Sequence, residues 1–276
     1  MGVDTPLQTG SRCVLLRAVS LSKSYTRGGR WSRRRCLVEA LRSVDLEIRT
    51  GSTMALIGPS GSGKSTLARC LACFERPESG EVWFAEENLT QLSPRELIPF
   101  RRQIQLIFQE PEASLNPRFR AVEIVSEPLL IARVGSKSER RERALALMEL
   151  VGLGGQLRSR VPFELSGGQR RRLAIARALA LEPRLLILDE ALTGLDLSTR
   201  AQIANLLLEL QKARSLTYLF ISHDLGLVAR FADDVVMLDG GRVVAGGAHE
   251  PVTTCGKTQS RNLLARAPGS VAVELP

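Results

Sequence analysis

The sequence predicts an α/β fold: a parallel sheet buried on both faces, antiparallel strands before it, and a helical segment inserted into it. Three observations carry this. The runs "LLILDE" (185–190) and "TYLFISHD" (217–224) are almost continuously apolar, and the helical stretch "TRAQIANLLLELQKAR" lies between them. A strand–helix–strand order with doubly buried strands favours parallel pairing. The glycine-rich segment "GPSGSGKST", Gly58 to Thr66, follows the strand-like "TMALI" and opens a helix. From about 111 to 165 the texture turns helical, with "AVEIVSEPLLIA" and "SERRERALALMELVGL" at helical spacing.

The remaining elements follow in chain order. "CVLLRAVSL" and "VDLEIRT" are β-rich and bounded by turn residues. Between Tyr25 and Leu37 the basic stretch "TRGGRWSRRRC" reads as a solvated hairpin loop. "STLARCLACF" is a helix, and its lone C-x-x-C, Cys70 and Cys73, reads as small apolar residues on one face. Zinc would need two further ligands. "GEVWF" is a strand. "SPREL" predicts a helix start: Ser93 as N-cap, Pro94 first, Glu96 closing a capping box. "IQLIFQ" is a strand. A helix runs from Ser166 to Leu181, ahead of Pro183. "DVVMLDGGRVVAGG" predicts a hairpin turning at Asp239-Gly240-Gly241. The tail after His249 is irregular, then briefly helical.

The chain has 276 residues, 44% hydrophobic and 24% charged, enough to bury a large core. Its formal charge of +9 points to nucleic acid, a membrane surface or anionic small ligands. Arginine supplies nearly all of it, so Lys64 within the glycine-rich segment stands out. No run approaches the roughly 20 apolar residues of a membrane span. "MGVDTPLQTG" lacks the layout of a secretory signal, and its proline spoils a myristoylation pattern. Five scattered cysteines suggest reduced thiols rather than a disulfide framework.

Gly58-Pro59-Ser60-Gly61-Ser62-Gly63-Lys64-Ser65 fits G-x-x-x-x-G-K-[ST], in the strand-to-helix context that phosphate binding requires. Glycines let backbone N–H groups curl round phosphate oxygens. Lys64 supplies a point charge for the β/γ-phosphates, and the Ser65 hydroxyl can ligate Mg²⁺. Asp189 and Glu190 emerge at the C-terminal end of an apolar strand, the edge where α/β sheets bind ligands. Asp189 is expected to hold Mg²⁺ through a water, and Glu190 to polarise the attacking water.

A second phosphate-binding feature lies at "ELSGGQRRRLAIARALA". Ser166 and Gln169 form an S-x-x-Q capping box. Gly167 and Gly168 each weaken a helix by about 1 kcal/mol relative to alanine, so they imply a close approach to the backbone. "LSGGQ", then "RLAIARAL" and "LLILDE", strongly resembles the signature of ABC-type ATPases. The resemblance covers about Val14 to Gly247. It implies a P-loop NTPase with a RecA-like core, an antiparallel β subdomain and an inserted helical subdomain at about 111–165. The ATP-binding domain would span 12–250, with a short tail from 251 to 276. It also implies head-to-tail pairing with a second ATPase subunit, identical or paralogous. In such a pair Ser166, Gly167, Gly168 and Gln169 complete the site formed by the partner's P-loop.

The same resemblance assigns the other roles. Tyr25 would stack on adenine. Gln109 would sense Mg²⁺ and contribute to catalysis. Asp196 in "GLDLSTR" would lie at the dimer interface, and His223 in "FISHD" would contact the γ-phosphate. "FQEPEASLNPR" and "VEALRSVDLEI" resemble dipeptide, oligopeptide and nickel importers. The resemblance therefore implies ATP and Mg²⁺ as cofactors, two membrane permease subunits, an extracytoplasmic solute-binding protein and the cytoplasmic face of a membrane. Two departures stand out. Ala191 replaces the usual proline, and "GKTQSRNLLARAP" keeps only part of the family's tail motif. The rival reading is a soluble ABC ATPase acting on nucleic acid. One P-loop, one signature and no sustained heptads disfavour it, and no nucleic-acid partner is expected. An ordinary P-loop kinase would leave the signature glycines without a role.

Overall fold

The computed structural model describes residues 13–27, 36–110 and 114–246. The expectations for the basic stretch between Arg27 and Cys36, for Pro111–Ala113 and for the tail lie outside these residues.

Ten strands and seven α-helices are described. They run in the order β1 (Val14–Arg27), β2 (Cys36–Arg49), β3 (Thr53–Ile57), α1 (Lys64–Leu71), β4 (Ser79–Phe84), β5 (Glu87–Asn88), α2 (Ile98–Gln103) and β6 (Ile104–Ile107). Next come α3 (Ala121–Ile131), α4 (Lys137–Leu150), α5 (Gly167–Leu179), β7 (Leu185–Asp189), α6 (Leu197–Arg214), β8 (Thr217–Ile221), α7 (Leu225–Phe231), β9 (Asp234–Asp239) and β10 (Arg242–Ala245). The four-stranded sheet, in the order β2-β1-β4-β5, is antiparallel throughout. The six-stranded sheet, in the order β10-β9-β3-β8-β7-β6, is parallel except for the β9/β10 hairpin.

Period-two alternation explains how the parallel sheet is covered. Ala55 and Ile57 of β3, Leu186 and Leu188 of β7, and Tyr218 and Phe220 of β8 face a core shared with α3, α4, α5, α6 and α7. Their neighbours Met54, Leu56, Leu185, Ile187, Leu219 and Ile221 face a second core shared with α1 and the antiparallel sheet. Every residue of β3, β7 and β8 is buried, as the continuous apolar runs predict. A one-residue slip would exchange the side chains of the two cores and disrupt the packing of both. The layers are also tied by ions. Arg49 Nη2 of β2 reaches Asp234 Oδ1 and Oδ2 of β9 at 2.6 and 2.8 Å.

Several boundaries differ from expectation. The strand expected at Val44 begins at Cys36, because β2 pairs with β1 from Arg27↔Cys36 to Val14↔Arg49. The Ser93–Glu96 capping bonds form at 2.8 and 3.4 Å, yet the regular helix starts only at Ile98. Pro99, with no N–H to donate, sits where a helix's first turn tolerates it. Helix α5 ends at Leu179 rather than Leu181. Cys70 lies in α1, but Cys73 lies past its end with φ +58°. The hairpin turn at Gly240 and Gly241 has φ +51° and +79°, the double left-handed turn that suits a right-twisted hairpin.

Candidate functional site

Four adjacent parallel strands, in the order β3-β8-β7-β6, bring the expected chemistry to one sheet edge. The glycine-rich loop follows β3, and His223 follows β8. Asp189 ends β7 with Glu190 next, and Gln109 lies two residues beyond β6. A sequence separation of more than 160 residues between Gly58 and His223 thus collapses into one row of strand ends.

The loop from Gly58 to Gly63 has to be glycine where it bends. Gly58 adopts φ +148°, and a Cβ there would lie 2.0 Å from Leu238 O. Gly63 adopts φ +107°, with a Cβ 2.2 Å from Ala40 O. The β9/β10 turn buttresses the loop, since Gly241 N–H donates to Ser62 O at 3.0 Å. Lys64, the first residue of α1, is buried. Its Nζ donates to Gly58 O and Pro59 O at 2.9 and 2.8 Å. Burial holds its ammonium below the ordinary lysine range, and the Glu190 and Asp189 carboxylates oppose that shift.

Asp189 is 6% exposed, and its Oδ1 is buried without a hydrogen-bond partner among the described residues. Burial raises its carboxyl above the usual range. The Ser65 hydroxyl lowers it and Glu190 raises it further. Glu190 has φ +49°, and its N–H donates to Ile221 O at 3.0 Å, which pins it to the end of β8. Its carboxylate accepts a hydrogen bond on one side and has an imidazole near the other. Gln109 Nε2 donates to Oε2 at 2.9 Å, and His223 Nδ1 lies 3.7 Å from Oε1. The row therefore juxtaposes a glycine-rich loop with its buried lysine, a half-satisfied buried carboxylate and a second carboxylate that accepts from an amide and lies near an imidazole.

Tyr25 joins this neighbourhood from the antiparallel sheet. Its hydroxyl donates to Glu75 Oε2, and Glu75 Oε1 pairs with Arg69 Nε of α1 at 3.2 Å. Burial and the Glu75 hydrogen bond push the phenol upward, while the Thr66 hydroxyl opposes. The signature residues belong elsewhere. Ser166 Oγ accepts from Gln169 N–H at 3.2 Å, and Gln169 Oε1 accepts from Ser166 N–H at 2.9 Å. That box caps α5 as the spacing predicts. Asp196 caps α6 by accepting from Thr199 N–H at 2.9 Å, which holds its carboxyl below the usual range. The two helix starts touch each other. A Cβ on Gly168 would lie 2.5 Å from Thr199 Cγ2. Gly168 therefore has a packing reason within its own chain, beside the phosphate approach that its helix cost suggested.

Two arginines escaped the reading of the sequence. Arg171, 6% exposed, donates from Nη1 to Gln109 O at 2.8 Å and from Nη2 to Thr193 O at 3.0 Å. Arg200 donates from Nη1 to Asp224 Oδ2 at 2.7 Å and from Nη2 to Leu195 O at 3.0 Å. A signal for Arg171 existed. It precedes Ala174 and Ile175 by three and four residues, so it lies on the buried stripe of α5 and not on a solvated face.

Comparison with known proteins agrees with this geometry. Residues 41–193 match the ABC transporter family. The chain is 44% identical over 239 residues to the dipeptide transport ATP-binding protein DppF of Escherichia coli (strain K12), spanning 86% of this chain and 71% of that protein. It is 40% identical over 266 residues to the oligopeptide transport ATP-binding protein OppD of Mycobacterium tuberculosis (strain ATCC 25618 / H37Rv), spanning 95% of this chain but only 43% of that protein. Among solved structures, the dimeric post-hydrolysis state of the ATP-binding cassette MJ0796, bound to ADP and Pi, superposes with a TM-score of 0.75. That match is 33% identical and covers 84% of this chain and 97% of the other.

Proposed function

The chain belongs to the ABC transporter family, and we propose that it is the ATP-hydrolysing subunit of an importer for dipeptides or oligopeptides. The observation that carries the ATPase is Glu190, hydrogen-bonded by Gln109 and 3.7 Å from His223, at the mouth of the glycine-rich loop. Lys64 exchanges the Gly58 and Pro59 carbonyls for the β/γ-phosphates of ATP, and the loop N–H groups and Thr66 surround the phosphate oxygens. Glu190 accepts the proton of the attacking water. Gln109 and His223 fix its orientation, and His223 reaches the γ-phosphate. Tyr25 packs against the adenine.

The residues present fit Mg²⁺. The buried Oδ1 of Asp189 lacks a hydrogen-bond partner among the described residues and the Ser65 hydroxyl stands beside that carboxylate, so a hard cation would satisfy both. When bound, Mg²⁺ neutralises charge on the phosphate oxygens, and Ser65, Asp189 and Gln109 would hold it.

The start of α5 completes a site across a head-to-tail pair. Ser166, Gly167, Gly168 and Gln169 present helix N–H groups to the γ-phosphate on the partner's loop, and Asp196 lies between the two chains. The likeness to a dimeric cassette supports this reading. The pair, identical or paralogous, would drive two permease subunits at the cytoplasmic face of a membrane, fed by a solute-binding protein. The ATP-binding unit runs over 12–250 with its helical subdomain at about 111–165, and 251–276 form a tail. Peptide is favoured as cargo because relatives at 40–44% identity carry that assignment in their names.

The test is hydrolysis by the purified full-length chain. Glu190→Gln should lower turnover on the order of 100-fold or more while ATP still binds and a dimer accumulates. Turnover at the wild-type rate would refute the assignment. Labelled dipeptide uptake by vesicles carrying the permeases then tests the cargo.

A further inference from the structure

The two groups that flank the Glu190 carboxylate are themselves held, and by the same device. Gln109 donates its side chain to Glu190, and its backbone carbonyl accepts from Arg171 Nη1 at 2.8 Å. His223 faces Glu190 from the other side, and its neighbour Asp224 accepts from Arg200 Nη1 at 2.7 Å. Each guanidinium then sends its second branch to one short segment. Arg171 Nη2 reaches Thr193 O and Arg200 Nη2 reaches Leu195 O, both at 3.0 Å. That segment connects Glu190 to Asp196, the cap of α6. Three loops, each carrying one residue of the catalytic group, are thus cross-linked through two planar forks.

Resting on the ATPase reading above, we propose that Arg171 and Arg200 are positioning residues, which set the geometry of Gln109 and His223 about Glu190. They also transmit the state of the α5 and α6 starts to that carboxylate. The chemistry favours arginine for this work. A guanidinium carries several donors in one rigid plane, so two acceptors on different loops are fixed relative to each other. The segment's first half is fixed by the turn in which Thr193 N–H donates to Glu190 O at 3.0 Å, while its second half passes through Gly194 at φ +78°. The two forks grip it on either side of that glycine, at Thr193 O and Leu195 O. The anchors lie on the elements that face the partner in the proposed pair. Arg171 is four residues beyond Gly167 at the start of α5, and Arg200 is four beyond Asp196 at the start of α6. Docking of a partner at either start would be felt at Glu190 through a single side chain.

The step affected is the chemical one, not binding. In the full-length chain, Arg171→Met and Arg200→Met should each lower kcat on the order of tenfold to a hundredfold, the range of a small misplacement at a reacting centre. KM for ATP and the Kd for ADP should stay within about twofold, since neither arginine touches the glycine-rich loop. Arg171→Lys and Arg200→Lys keep the charge but lose the fork, and should recover only part of kcat. Arg171→Met in a Gln109→Ala background, and Arg200→Met in a His223→Ala background, should add less than about twofold further loss, because each arginine acts through its neighbour. Loss of ADP affinity in step with kcat, full recovery by lysine, or full additivity in these cycles would overturn the proposal. Should Arg171→Met fail to fold, Arg171→Lys and the half-buried Arg200 carry the same measurements. A Glu190→Gln chain with normal turnover would instead overturn the ATPase reading itself.

Discussion

Gly168 offers a sharp test because two forces of known sign act on it. Substituting alanine at this helical position gains about 1 kcal/mol of helix propensity. The added methyl, however, would sit 2.5 Å from Thr199 Cγ2. Relief requires Thr199 to leave its χ1 rotamer or α5 and α6 to part slightly, at about 1–3 kcal/mol for overpacking. Gly168→Ala alone should therefore cost about 0–2 kcal/mol. Thr199→Ser removes the offending methyl, and the remaining hydroxyl lies 3.7 Å away, an ordinary contact. In that background Gly168→Ala should stabilise by up to about 1 kcal/mol. The expected coupling is about 1–3 kcal/mol, and each kcal/mol moves the midpoint by about 2–4 °C. The assay is thermal or urea unfolding of the four nucleotide-free chains, read against their ATPase rates. Equal effects of Gly168→Ala in both backgrounds would refute the packing argument. If stability returns in the double variant while hydrolysis stays low, the glycine serves the partner's phosphate as well. If hydrolysis returns in full, packing alone explains it.

Three further outcomes are expected. Lys64→Ala should weaken ATP binding by about 1.5–3 kcal/mol, the worth of a charged hydrogen-bonding partner, and leave adenosine affinity unchanged in calorimetry. Equal losses for both ligands would contradict the role given to Lys64. Asp189→Asn should raise the melting temperature of the chain without nucleotide or metal, because burial penalises that carboxylate. Its folded pKa lies above the unfolded value, so the stability linked to its protonation is present at acid pH and lost as pH rises. The gain from asparagine should therefore be absent near pH 3 and present near pH 7. A gain independent of pH would point to another cause. Arg49→Met should destabilise by about 1–3 kcal/mol in urea titrations, because it strands the buried Asp234 carboxylate, 5% exposed, while Arg49 itself is partly solvated. A change below 0.5 kcal/mol, roughly the surface-substitution level, would mean that the two sheets are joined by packing alone.

Much of this protein is set by local chemistry, which a sequence displays directly. The run from Gly58 to Thr66 announces a tight strand-to-helix loop because glycines stand where φ is positive and the backbone passes too close for a Cβ. Ser166 with Gln169 announces a helix start because the two side chains satisfy each other's N–H groups across three residues. Doubly apolar runs such as Leu185–Leu188 announce a covered sheet, because water is excluded from both faces only there. Boundaries were less legible. Strand β2 extends back to Cys36 because β1 offers it a ladder, and no local signal in "CLVEA" reports a partner elsewhere in the chain.

What only the tertiary structure decided is adjacency. The order β3-β8-β7-β6 sets Gln109 and His223 on either side of Glu190, though 81 and 33 residues separate them from it in sequence. The contact of Gly168 with Thr199, and the reach of Arg171 and Arg200 to three loops, one of them shared, arise the same way. A motif records what a short segment must be for its own conformation. Which segments meet is set by burial of two cores on opposite faces of one sheet, a property of the whole chain.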